Sequence, residues 1–157
     1  MEPCTEEEIR RLANDWYRNL DVHAPVDAVL TLLAENGFEI RIPEGTFQGH
    51  EGFKRVYEEG WIRHFFDEIH ELKQLSVTPA DDKVEAKVVV NWQARTWDPP
   101  EPKSKWLDMD AYQTWVVQRS PDSGKPVILS YTVDAMKPVP GPDSVYPLCR
   151  ALVSQTI

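Results

Sequence analysis

Val84-Glu85-Ala86-Lys87-Val88-Val89-Val90-Asn91-Trp92-Gln93-Ala94-Arg95-Thr96-Trp97 is the stretch that decides the fold. Val84, Ala86, Val88, Val90, Trp92 and Ala94 fall on one face at a period of two, which is the period of a strand and not of a helix. The strand ends at Asp98-Pro99-Pro100-Glu101-Pro102, because proline has no N–H to give a ladder. Upstream, Glu68 to Thr78 reads as a strand closed by Pro79-Ala80-Asp81-Asp82. Downstream, Lys105 to Gln118 is a third long strand, Ser120-Pro121-Asp122-Ser123-Gly124 turns the chain, and Val127 to Met136 is a fourth.

The N-terminal half has a helical period instead. Thr5-Glu6-Glu7-Glu8 forms a capping box, and Ile9, Leu12, Ala13, Trp16, Tyr17 and Leu20 follow at helical spacing, so a first helix runs from about Thr5 to Leu20. Pro25 suits a first helical position. Val26, Val29, Leu30 and Leu33 form the stripe of a second helix that Gly37 ends. Phe38 to Ile42 is a short strand, and Glu44 to Gly49 resembles a hairpin arm. Phe53, Val56, Tyr57, Trp61 and Phe65 mark a third helix over roughly Glu51 to Phe65, with Gly60 as its weak point. Helices followed by hairpin-linked strands cannot make βαβ units. The expected fold is α+β: three N-terminal helices packed on a strongly curved antiparallel sheet that closes over a pocket.

The 157 residues suit one domain, taken as 1–137, followed by a proline-rich tail over 138–157 that wraps the domain or frays, with room for a short helix between Ser144 and Ser154. A net charge of −9 without a basic stripe argues against nucleic acid and anionic membranes as partners. No apolar run approaches the roughly 18 residues of a membrane span. Met1-Glu2-Pro3-Cys4 lacks the pattern of a signal peptide, so the expected address is the cytoplasm. Cys4 and Cys149 lie near opposite ends and form no C-x-x-C; a disulfide between them is not the expectation.

The order of elements and several short stretches resemble the nuclear-transport-factor-2-like superfamily, and within it the SnoaL-like polyketide cyclases, ketosteroid isomerases, scytalone dehydratases and limonene epoxide hydrolases. The resemblance covers about Glu6 to Met136. It rests on Trp16-Tyr17 late in helix one, Pro25 to Ala34 leading into Phe38-Glu39-Ile40-Arg41-Ile42-Pro43, Gly45 through Gly52 before the third helix, and Asp110-Ala111-Tyr112 early in the third long strand. It implies a cone-shaped barrel with an internal cavity, and a homodimer. It also implies roles for two residues. Tyr17 matches the helix-one tyrosine that donates a hydrogen bond in ketosteroid isomerase, and Asp110 is similar to the acid/base aspartate of SnoaL-like cyclases. The isomerase's base belongs at the end of the first strand. Here Arg41-Ile42-Pro43 offers no carboxylate, which argues against a steroid isomerase mechanism.

Asp110 and Tyr17 are therefore the candidate catalytic pair. A carboxyl group in an apolar cavity is raised by desolvation into a useful acid/base range, and a phenol beside it could orient it or polarise a carbonyl. Trp16, Trp61, His64, Trp92 and Tyr112 are the candidate ligand-binding residues, with a small apolar or aromatic molecule as the ligand and no cofactor. Asp108 and Asp110 share a strand face with each other. If that face also holds Asn91, Gln93 and Arg95, it is either a polar cavity wall or the solvated outside of the sheet, and one bulge reverses the assignment. The histidines, His23, His50, His64 and His70, have no metal-ligand spacing. His70 alternates on a strand; His23 and His50 read as loop or cap residues. Ser104, Ser130 and Cys4 sit in no nucleophile elbow. Three functions stay open: a cofactor-free cyclase, dehydratase or isomerase; a non-catalytic ligand-binding domain; and a module that dimerises through its sheet.

Overall fold

The computed structural model describes residues 2–139. Cys149 and the segment over 144–154 lie outside the described residues. Helix α1 (Glu6–Asp21) starts where the capping box places it, with the Thr5 hydroxyl accepting from the Glu8 N–H at 3.1 Å and the Thr5 N–H donating to Glu8 Oε1 at 3.0 Å. Its buried stripe is Ile9, Leu12, Ala13, Trp16, Tyr17 and Leu20. Helix α2 (Val26–Leu30) follows Pro25 but stops well before Gly37. The chain leaves the helix because residues 32–34 bond to the sheet: the Ile128 N–H donates to Leu32 at 2.9 Å and the Ala34 N–H to Ile128 at 2.8 Å. Strands β1 (Glu39–Ile42) and β2 (Gly45–Gln48) make a hairpin with Pro43 and Glu44 at its tip.

The third helix is three pieces in one run: α3 (Gly49–Arg55), a π-helical segment (Val56–Trp61) and a last turn α4 (Ile62–His64). Buried Gly60 lies within the π segment. A π segment adds a residue to the turn. Phe53, Tyr57 and Trp61, spaced by four, stay in one aromatic stack, with Phe53–Tyr57 centroids 5.6 Å apart and Tyr57–Trp61 6.4 Å.

Four long strands complete the sheet: β3 (Phe66–Ala80), β4 (Lys83–Thr96), β5 (Lys105–Arg119) and β6 (Pro126–Pro138). The order is β2-β1-β6-β5-β4-β3. All pairs are antiparallel except β1 with β6, which is parallel. That pair departs from the all-antiparallel expectation, because no hairpin links two strands so far apart in sequence. The inner face of the sheet carries Val84, Ala86, Val88, Val90, Trp92 and Ala94 from β4, as the alternation requires, and Leu107, Met109, Ala111, Gln113, Trp115 and Val117 from β5. Helix α1 packs against β3 and β6.

Strand β3 changes faces twice. A bulge between Phe66 and Ile69 contains Asp67 at φ 51, and a second separates Leu72 from Gln74. Each extra residue shifts the alternation by one. Glu68, His70 and Leu72 therefore turn inward with Leu75 and Val77, although a regular strand would put the two groups on opposite faces. No helix among the described residues is long and apolar enough to cross a membrane.

Arg119 locks the N-terminus onto the sheet. Its Nη1 and Nη2 donate to Glu8 Oε2 and Oε1, each at 2.8 Å, and its Nε donates to the Glu2 carbonyl at 2.7 Å. The Arg119 guanidinium, followed by the Thr5 N–H, holds the Glu8 carboxyl down at about 2, against an ordinary 4.5. A depressed carboxyl stabilises the fold above its unfolded value and loses that contribution as pH falls through its folded value. The melting temperature of the protein is therefore expected to fall more steeply between pH 4.5 and pH 2 than that of Glu8→Gln. The difference should shrink in high salt, since the pair is only partly buried. Parallel slopes in thermal melts would show that Glu8 carries none of the acid sensitivity.

Candidate active site

The cavity lies between the inner face of the sheet and the helices, with a volume of about 90 Å³. Leu20 of α1 forms one side, and Tyr57, Trp61, Ile62 and Phe65 cover another. The sheet contributes Val90 and Trp92, Ala111 and Gln113, and Tyr131, Val133 and Met136. Ile42, Pro43 and Glu44 close it at the β1–β2 hairpin, and Glu68 and His70 face it from β3. The volume is small beside the roughly 300–1,000 Å³ of pockets for drug-sized ligands.

Two carboxylate–imidazole pairs meet this wall, in opposite senses. His70 lines the cavity, and Asp21 stands behind it: His70 Nδ1 lies 2.6 Å from Asp21 Oδ1, and the His70 backbone N–H donates to Asp21 Oδ2 at 3.2 Å. The His70 side chain is 10% exposed. Beside a carboxylate, Nδ1 is the nitrogen that donates, so in the neutral ring Nε2 keeps its lone pair. Nε2 makes no hydrogen bond among the described residues. Tyr17 stacks on the imidazole at 5.1 Å, and Trp92 lies nearly parallel to it at 6.4 Å, so the ring is held flat between aromatic neighbours.

The second pair reverses the order. Glu68 lines the cavity with a side chain only 7% exposed, and His23 backs it, Nε2 to Glu68 Oε2 at 2.5 Å. The indole N–H of Trp92 donates to Glu68 Oε1 at 3.0 Å. His23 reaches Glu68 from just past the end of α1, where its φ of 51 closes the helix: the His23 N–H donates to Leu20 and the Ala24 N–H to Asn19. Glycine is the usual residue in that conformation and histidine is among the others that adopt it; here it brings the imidazole to Glu68.

The sequence-derived candidates divide between cavity, core and outer surface. Trp61 and Trp92 line the cavity. Trp16 is fully buried in the core against Phe53, Trp115 and Tyr131 and does not line it. Tyr17 also lies behind the wall, donating to Gln113 Oε1 at 2.9 Å, and burial pushes its phenol well above the ordinary range, so it is a neutral support for His70. His64 is exposed at the end of α4. Asp110 and Tyr112 sit at even positions of β5 and point to the outer face. There Asn91 Nδ2 donates to Asp108 Oδ1 at 2.7 Å and to Asp110 Oδ1 at 3.0 Å, and the Lys137 ammonium lies 4.7 Å from the Tyr112 ring. The polar set of Asn91, Gln93, Asp108 and Asp110 is thus the outside of the sheet, because β5 runs without a bulge along β4 and the apolar odd positions claim the interior.

The structure brings in Asp21, Glu44, Glu68 and Gln113, which sequence reasoning left out, and His23 and His70, which it read only as a loop or cap residue and a strand residue. Their signal was faint: an acid at the end of a helix, and Glu68 and His70 two apart on a strand. Among the described residues no group of three or more His, Cys, Asp or Glu is placed to hold a metal ion. Buried Cys4 lies outside the cavity wall, and burial pushes its thiol up, away from nucleophilic use. Gln113 joins the cavity to its support, since its Oε1 accepts from both Tyr17 and the Trp115 indole at 2.9 and 3.0 Å. Gln113→Leu would orphan two buried donors. The expected loss is about 1–3 kcal/mol of stability for each. Chemical denaturation checks it, and an unchanged midpoint would mean that the donors find other acceptors.

No family model matches the chain, and no curated protein matches it in sequence. Solved structures do. A nuclear transport factor 2-like superfamily protein from Salmonella enterica superposes with a TM-score of 0.70 at 14% identity, over 90% of this chain and 96% of that one. The hexachlorocyclohexane dehydrochlorinase LinA-type3 from Novosphingobium barchaimii gives 0.64 at 17%, over 86% and 90%. A protein from Novosphingobium aromaticivorans assigned as a scytalone dehydratase gives 0.59 at 17%, over 86% and 87%. With helices packed on a curved mixed sheet and these likenesses spanning most of its length, the chain has the nuclear-transport-factor-2-like fold.

Proposed function

We propose that the cavity is the active site of a cofactor-independent lyase that removes a proton from carbon, with His70 as the base and Asp21 as the group that orients and charges it. The observation that carries this reading is the 2.6 Å contact between His70 Nδ1 and Asp21 Oδ1 on the wall of an apolar cavity. Imidazole both takes and gives a proton near neutral pH. A carboxylate on Nδ1 fixes the tautomer, turns Nε2 toward the substrate and stabilises the imidazolium that forms. The surrounding Leu20, Val90, Ala111, Val133 and Met136 make an apolar wall, so a small apolar substrate is held by buried area. Two of the similar folds belong, by name, to a dehydrochlorinase and a dehydratase, and both names describe eliminations. Asp110, which faces the other side of the sheet, takes no part in the reaction.

Proton abstraction can be measured before the substrate is known. Small ketones are incubated with the protein in D₂O, and deuterium entering the carbon beside the carbonyl is followed by NMR. Catalysed exchange is expected from the wild type. His70→Gln should lower it by about 10²- to 10⁴-fold, the usual contribution of a general base. Asp21→Asn should lose less, and Asp110→Asn should retain wild-type exchange. If His70→Gln exchanges as fast as the wild type, His70 is not the base, and a ligand-binding role for the cavity becomes the better account.

A further inference from the structure

We propose that Glu44 is the proton donor of this cavity, delivering its proton to a leaving oxygen, so that the substrates are small alcohols with an activated C–H on the neighbouring carbon. The inference rests on the reading of His70 as the base. Glu44 occupies the tip of the β1–β2 hairpin, where Ile42 pairs with Gly45 and only Pro43 and Glu44 lie between. Pro43 has a fixed φ and Gly45 takes a φ of 149, so the two-residue turn is set by its flanks. Ile42, Pro43 and Glu44 all line the cavity.

Most of the other polar atoms that could accept or give a proton at this wall are committed or poor acids. Both oxygens of Glu68 accept hydrogen bonds, from His23 and from Trp92. Gln113 Oε1 is taken by Tyr17 and Trp115, and the Tyr57 hydroxyl donates to the Ala24 carbonyl at 2.6 Å. Burial pushes the Tyr131 phenol far above its ordinary range, which makes it a poor acid. Glu44 Oε1 is different: it is buried and has no hydrogen-bond partner among the described residues. Glu44 as a residue is half-buried, but charge on a carboxyl whose Oε1 is buried without a partner is disfavoured, whereas the protonated group loses less and can donate. Burial correspondingly pushes the Glu44 carboxyl above its ordinary 4.5. Among the described residues the cavity therefore presents one uncommitted carboxylic acid, Glu44, and one uncommitted base, His70 Nε2.

The step balances with these two groups alone. His70 Nε2 takes the proton from carbon, and the C–H electron pair becomes the new C=C bond. The C–O bond breaks with its pair on oxygen, which accepts the Glu44 proton and departs as water. Solvent returns the proton from the imidazolium to the carboxylate. A halide leaves as a stable anion and needs no such donor.

The leaving group thus tests Glu44. Wild type, Glu44→Gln and His70→Gln are each assayed for release of the same enone from β-hydroxybutanone and from β-chlorobutanone. Glutamine keeps the shape of Glu44 and has no acidic proton. Glu44→Gln is expected to slow the hydroxy compound by about 10²- to 10⁴-fold while β-chlorobutanone stays close to the wild-type rate. His70→Gln should slow both. The ratio of the two rates within one sample does not depend on how much of the variant is folded. Equal slowing of both compounds by Glu44→Gln, or slowing of neither, overturns the role of Glu44 and leaves the lyase reading standing. If the wild type acts on neither compound, or His70→Gln loses nothing, the lyase reading falls and the role of Glu44 with it.

Discussion

The carboxylate of Asp21 stands at the end of a helix where a negative charge is least welcome, since the last turn of α1 carries the partial negative charge of its free carbonyls. Two hydrogen bonds to one residue, the backbone and the ring of His70, offset that cost. The same contact joins α1 to β3 and sets the orientation of the imidazole. Most of the cavity depends on this joint. Tyr17, one turn earlier on α1, stacks on the ring, and Gln113 holds Tyr17 from the sheet. A local preference broken at a helix end, and answered by a long-range partner, is the pattern expected of a functional site.

Strand β3 supplies the other half of the joint. As an edge strand it is free to bulge, and it does so on either side of Glu68, His70 and Leu72. The bulges let a polar pair face the interior without surrendering Leu75 and Val77 to solvent. They also leave Ile69 outside, 56% exposed, between two inward residues. The two carboxylate–imidazole pairs thereby gather at one edge of the sheet and Glu44 stands at the other, while the central strands β4, β5 and β6 offer mostly apolar surface to the cavity. In the proposed reaction a substrate would meet its base at the edge and its bulk of apolar contact in the middle.

The aromatic residues follow the same division. Trp16 and Trp115 are fully buried and pack with Tyr131 as the core, Trp61 and Trp92 line the cavity, and Trp97 and Trp106 are exposed. Of the six tryptophans, the two at the cavity come from the third helical run and from the sheet strand next to the edge. Trp92 does double service, packing edge-on to Phe65 and bonding Glu68 through its indole N–H.

Local physics was written plainly in the chain. The capping box at Thr5, the stripe of α1, the alternation of β4 and the proline breaks put nearly every element in place, because these signals act over a few residues. Gly37 misled as a helix end, since the Leu32 carbonyl accepts from the Ile128 N–H and the Ala34 N–H donates to the Ile128 carbonyl, which stops α2 earlier, and that partner lies far away in sequence. The site was hardly legible for the same reason. Asp21 and His70 are 49 residues apart, and neither carries a motif. Asp110 drew attention as a carboxylate on an apolar-patterned strand, yet strand parity alone does not say which face is inside. Sequence by itself determined the helices, the strands and the α+β class, since each follows from periodicity and turn chemistry. Only the tertiary structure decided which polar residues meet the cavity, because a single bulged residue reverses a strand's faces and the Asp21–His70 pair exists only where a helix end and a sheet edge come together.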